Sequence, residues 1–285
     1  MMMMRRQFMW AAGLVLASPL AFADKPPALV ATASDTLPKV DLARFFAGYQ
    51  ACFVLLDVKT NKYIRYNEKE CQQAYSPCSS FKVPNSLIGL DSGAIADKDF
   101  LIKWDGKNRD REVLNHDHTL QTAMRDSVLW YYQELATRVG LPKMREYIDK
   151  LAYGNRDISG GLTKFWVTSS LKINAEQQVQ FMRKFINNEL PVKQRSMDIV
   201  KEIMVLSKDQ NVVFRGKTGS SGSHHEAGKL VNDGWFVGYV EKEGRPYAFA
   251  THIRSFTESD VYGGPVARKI TESVLQAMGL LNAPL

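Results

Sequence analysis

The chain is poor in the features that would tie it to metals, membranes or nucleic acid. Only three cysteines and five histidines occur in 285 residues. An odd cysteine count leaves at least one thiol outside any intramolecular bridge. No stretch beyond residue 22 is long and apolar enough to cross a bilayer, and no internal repeat or low-complexity tract stands out. Lys and Arg exceed Asp and Glu, 37 to 30, but the cations are spread among acids along the chain. That spread lacks the clustering a nucleic-acid surface needs; a mild positive field is better suited to a small anionic ligand.

What is present is ordinary globular composition, 45% hydrophobic and 24% charged, with enough length for a sizeable core. Arg5 and Arg6 precede an apolar run from Phe8 to Phe22, and Ala21-Phe22-Ala23 offers the small residues that a signal peptidase reads. Residues 1–23 therefore read as a secretory signal peptide cleaved before Asp24, leaving one domain over 24–285. The run is short for a retained membrane anchor. Loss of the two arginines takes the formal charge from +7 to about +5. Export puts the cysteines in an oxidising compartment. Cys52 opens a strand-like run to Asp57, and a turn at 59–62 leads into residues 63–67, which brings Cys52 near residues 69–71. A Cys52–Cys71 bridge is expected, with Cys78 free.

Periodicity divides the rest. Val40 to Tyr49 reads as a short helix, followed by the hairpin. From residue 83 to about 207 the pattern is mostly helical: one helix over Gln121 to Leu135, a second from Gly140-Leu141-Pro142 to Leu151, a loop over Gly154 to Gly161, and an amphipathic helix over Ala175 to Asn187. Beyond Lys208 the period changes to that of strands, at 212–217, 234–241 and 247–253, before a closing helix from Pro265 to Met278. Strands at both ends predict an α/β fold of the α+β type. One antiparallel sheet is flanked by terminal helices, an all-helical lobe is inserted, and the site lies at their junction.

Ser79 and Lys82 lie three apart at the start of a helix, so they share a face. A serine hydroxyl becomes a nucleophile when a neighbouring base takes its proton, and the flanking Phe81, Val83, Leu87 and Ile88 supply an apolar wall that would depress the lysine pKa. Taken alone the spacing says little, since roughly one such match arises by chance in a chain of this length. Companions change the weight. Lys217-Thr218-Gly219 ends a strand, where Lys and Thr can hold a carboxylate and glycine permits close approach to the backbone. Ser127 sits among apolar helical residues, and Tyr153-Gly154-Asn155 reads as a turn.

Together and in this order the segments resemble the serine beta-lactamase and penicillin-binding superfamily, specifically the class D, oxacillinase-type beta-lactamases. Ser79-Ser80-Phe81-Lys82, Tyr153-Gly154-Asn155, and Ile158-Ser159-Gly160-Gly161 running to Lys164-Phe165-Trp166 carry the class D likeness. The resemblance implies a bacterial periplasmic enzyme, monomer or homodimer, acting on beta-lactams without metal or organic cofactor. Lys82 would react with carbon dioxide or bicarbonate to give N6-carboxylysine, the general base for Ser79, and Trp166 would support the carbamate. Backbone N–H groups of Ser79 and Ser220 would hold the oxyanion beside Gly219. Ser127 and Lys217 would relay a proton, and Thr218 with Arg268 would bind the substrate carboxylate. Two positions depart from the family: Leu129 stands where valine usually faces the lysine, and Ser220 where an aromatic residue is common. The resemblance also admits a D,D-peptidase or a sensor that is acylated without turnover. A metalloenzyme is disfavoured, because His116-Asp117-His118 is followed by Leu120 where a His-x-His-x-Asp motif needs aspartate; these and His224-His225 read as solvated loop histidines.

Overall fold

Along β1 (Gln50–Asp57) every residue after the first is buried, which requires cover on both faces of a sheet. Side chains alternate across a strand, and here Phe53 and Leu55 enter one core while Cys52, Val54 and Leu56 enter another. The computed structural model describes residues 37–257 and 262–282. The expected signal peptide and its cleavage point lie outside the described residues.

β1 pairs with β2 (Lys62–Tyr66) as the expected hairpin. Then come α1 (Glu68–Cys71), a 3₁₀ turn over Cys78–Phe81 and α2 (Lys82–Asp91). The next helices are α3 (Leu120–Asp126), α4 (Leu129–Val139), α5 (Leu141–Leu151), α6 (Ala175–Ile186) and α7 (Gln194–Ile203). Strands β3 (Val205–Lys208), β4 (Val212–Glu226), β5 (Lys229–Lys242) and β6 (Arg245–Ser255) lead to α8 (Gly263–Ala277). The six strands form one antiparallel sheet in the order β2-β1-β6-β5-β4-β3. On one face α8 seals a core containing Phe53, Phe214, Phe236 and Phe249; on the other lie the helices.

Four local expectations are corrected. Val40 to Tyr49 holds a 3₁₀ turn at Ala43–Phe45 rather than a helix; Gly48 takes a left-handed φ of 87°, and Phe46 is buried in the α8 core. The helical stretch ends at α7, and residues 205–208 pair with β4 as an edge strand. Nor is the stretch a pure insertion, because α6 packs on β1, β5 and β6 and so covers the sheet itself. Cys52 and Cys71 are neighbouring free thiols, not a bridge. Cys71 Sγ donates to the Tyr66 carbonyl at 3.3 Å and faces that of Phe53 at 3.7 Å, while its contact with Cys52, together with burial, holds the Cys52 pKa well above the ordinary thiol value.

Candidate active site

Three elements converge on one cleft of about 450 Å³, lined by Ser79, Ser127, Leu129, Thr218 and Ser220 among others. Ser79 lies in the 3₁₀ turn that opens α2, whose ten residues are all buried. That burial decides the chemistry of Lys82. Its side chain is fully enclosed, and Nζ donates to Ser79 Oγ at 2.6 Å. Desolvation first, then the positive charge of Lys217, holds the Lys82 pKa well below the ordinary lysine value. A buried amine of this kind is available as a neutral base.

An aromatic wall encloses the lysine. Phe81 stacks on Trp166 at 5.4 Å and meets Phe165 and Tyr153 edge-on at 5.1 and 5.7 Å. The wall is fixed by polar ties: Tyr153 donates to Gln178, whose amide donates to Ser80 Oγ at 3.0 Å. Trp166 Nε1 is fully buried without a hydrogen-bond partner among the described residues. An indole N–H orphaned in this way is costly.

The expected helix from Gln121 to Leu135 is broken at its working residue. α3 ends at Asp126, Ser127 adopts a left-handed φ of 58°, and α4 begins at Leu129. The break swings the Ser127 hydroxyl across the cleft, where Lys217 Nζ donates to it at 3.0 Å. Lys217 also donates to the Thr218 carbonyl at 2.9 Å, and burial followed by the charges of Arg111 and Arg268 pulls its pKa down to about 7. Left-handed geometry in a serine carries no periodic signal, so sequence reasoning missed the break.

Gly219 also has a packing role that the sequence did not show. A Cβ there would lie 2.7 Å from the Pro77 carbonyl oxygen and 3.0 Å from Ser80 N, so glycine lets β4 close on the nucleophile turn. Ser220 reaches the cleft and accepts a hydrogen bond from Gly264 N at 2.9 Å. Leu129 is a partly exposed wall residue of the same cleft. Arg268 lies on α8, whose Pro265 lines the cleft; its Nε donates to Glu272 one turn along at 2.7 Å, and its positive charge reaches Lys217. Arg109 and Arg111 also line the cleft, and neither was singled out in the sequence.

The histidines are only partly the solvated residues expected. His118 is buried, with Nδ1 against Thr122 Oγ1 and Nε2 against the Val113 carbonyl, each at 3.0 Å. His224 has possible ligand atoms of Glu226 and Asp233 near it, but Arg254 already pairs with both carboxylates. Cys78 is buried beside the nucleophile, its thiol pushed up to about 12 by desolvation.

Residues 51–276 match the penicillin-binding protein transpeptidase domain family. A probable beta-lactamase of Bacillus subtilis strain 168, YbxI, is 36% identical over 245 residues, covering 86% of this chain and 87% of that protein. A class D beta-lactamase crystal structure from Bacillus subtilis superposes with a TM-score of 0.79 at 36% identity, over 87% of this chain and 99% of that one. The C-terminal domain of the BlaR penicillin-receptor of Bacillus licheniformis gives the same TM-score at 33% identity, over 85% and 96%.

Proposed function

Because the chain belongs to the class D beta-lactamases of the penicillin-binding transpeptidase family, we propose that it hydrolyses beta-lactam antibiotics through an acyl-enzyme on Ser79, with carbamylated Lys82 as general base. The observation that carries this reading is the 2.6 Å contact between a fully buried Lys82 Nζ and Ser79 Oγ.

Carbamylation consumes an uncharged amine, and the burial that depresses the Lys82 pKa supplies one. The orphaned Trp166 Nε1 fits as a donor to the added oxygens. A carbamate at Lys82 supplies a carboxylate-like base for the serine hydroxyl and for water. The remaining work falls to this chain's own groups. Ser79 Oγ attacks the lactam carbonyl while backbone N–H groups of Ser79 and Ser220 hold the oxyanion, an effect of about 3 kcal/mol per donor. The Ser127 hydroxyl gives its proton to the departing lactam nitrogen and is reprotonated from Lys217, 3.0 Å away. Thr218 binds the substrate carboxylate by its hydroxyl, with Arg268 supplying the positive charge. The Arg5-Arg6 leader supports export to the periplasm.

Likeness to the penicillin-receptor domain supports a second reading, in which Ser79 is acylated and the acyl group stays. Penicillin hydrolysis with and without bicarbonate separates the two, with Ser79→Ala and Lys82→Ala as controls. Multiple turnover that rises with bicarbonate and vanishes in both variants is expected. One stoichiometric acylation without release would make the protein a sensor and refute the hydrolytic proposal.

A further inference from the structure

The chain approaching Ser79 runs alongside the loop that carries Trp166, and the two are tied along their length. Tyr75 and Ile173 exchange backbone hydrogen bonds at 3.0 and 2.9 Å, and at the other end Cys78 N donates to the Trp166 carbonyl at 3.0 Å. Between them the tie is made by side chains. The Ser76 hydroxyl donates to the Ser169 carbonyl at 3.3 Å and accepts from Lys172 Nζ at 3.1 Å. Ser76 is buried, so water competes little for these bonds, and the charged donor makes the second the stronger kind. Its backbone is fixed from the sheet: the indole of Trp235, fully buried on β5, donates to the Ser76 carbonyl at 3.0 Å. Ser76 is therefore a post set in the sheet, to which the loop is fastened.

The fastening has a strain to resist. Thr168 holds a left-handed φ of 46°, a conformation that a β-branched residue keeps only when its surroundings enforce it. Thr168 lies between Trp166 and Ser169, so relaxation there would shift the residues on either side. Trp166 Nε1 is the buried donor without a hydrogen-bond partner, and its ring stacks on Phe81, next in the chain to Lys82. We propose that Ser76 and Lys172 are positioning residues: their bond holds the strained loop against the nucleophile turn and keeps the Trp166 N–H where a carboxyl group added to Lys82 needs a donor. The inference rests on the carbamate reading of Lys82. Neither residue lines the cleft, so neither acts by touching substrate. Trp235 and the backbone ties stay in place when the side-chain bond is lost, so the displacement falls on the loop and Ser79 keeps its geometry.

Two readouts separate positioning from bulk stability. One is the bicarbonate concentration that gives half-maximal penicillin turnover; the other is the Lys82 carbamate signal by carbon NMR in isotope-labelled bicarbonate, which serves a hydrolase and a sensor alike. Ser76→Ala and Lys172→Met should each raise the bicarbonate requirement by about 3- to 30-fold, as expected for loss of one buried hydrogen bond to a charged group, with turnover at saturation within about twofold of native. Lys172→Arg should restore most of the carbamate, and the double variant should be no worse than the poorer single one, since both remove the same bond. Lys172 is only partly buried, so Lys172→Met carries the test even where Ser76→Ala fails to fold. A native bicarbonate requirement in Lys172→Met, a loss of turnover that bicarbonate does not restore, or additive losses in the double variant would each overturn the proposal. Native protein with no carbamate signal and no response to bicarbonate would refute the carbamate base of the proposed function itself.

Discussion

Lys217 Nζ lies 3.0 Å from Ser127 Oγ, joining the end of β4 to the break between α3 and α4. This single contact bridges sheet and helices across the cleft, and the cost of holding it sets the first expectation.

Burial, then Arg111 and Arg268, lowers the Lys217 pKa from 10.5 to about 7. Between those values the unfolded lysine binds a proton that the folded one does not, so native stability rises with pH across that window. The penalty is complete below about pH 7 and gone above about 10.5. Lys217→Met removes it. Urea midpoints should favour the variant most near pH 6 and least near pH 10, with a change of at most on the order of 5 kcal/mol, while acylation is lost. A stability difference independent of pH would contradict the buried, neutralised lysine.

Ser127 combines a hydroxyl with a left-handed backbone, and the two can be separated. Ser127→Gly should keep or slightly raise the thermal midpoint, since glycine adopts φ of 58° freely, yet lose most acylation. Ser127→Ala should lose acylation to a similar degree without gaining stability. Calorimetry with penicillin labelling reads both; equal midpoints for Gly and Ala would show that the turn is not strained.

For Gly219, the atoms that a Cβ would strike are backbone, from Pro77 to Ser80. Gly219→Ala should push β4 away from the nucleophile turn, costing about 1–3 kcal/mol in stability and roughly 100-fold in acylation. Near-native rates would mean the turn yields without disturbing Ser79.

Trp166→Phe keeps an aromatic ring against Phe81 while removing the orphaned N–H along with the five-membered ring that carries it. The expected signature is a higher bicarbonate concentration for half-maximal activity, with activity recovered at saturation. Loss that bicarbonate cannot restore would indicate packing, not carbamate support.

Much of this protein was legible because its chemistry is local. Ser79 and Lys82 share a helix face by spacing alone, the strand pattern in β4 to β6 follows the two-residue period, and composition set the size of the core. Most of the misses share an origin: they depend on residues far apart in sequence. Nothing near Ser127 says that α3 must stop there; Lys217, ninety residues away, gives the left-handed turn its purpose. The spacing around Gly219 cannot reveal Pro77, nor could α6 be assigned to the sheet before the sheet was closed. Two cysteines brought together by a hairpin stand as thiols, with the Cys71 sulfhydryl turned to backbone carbonyls. Arg268 and Arg111 show the division most clearly. Sequence determined that both carry charge, while the helical turn that pairs Arg268 with Glu272 and the fold that brings the 105–115 loop to the cleft decided where each charge sits relative to Lys217. Side-chain chemistry is local, but direction is a tertiary property.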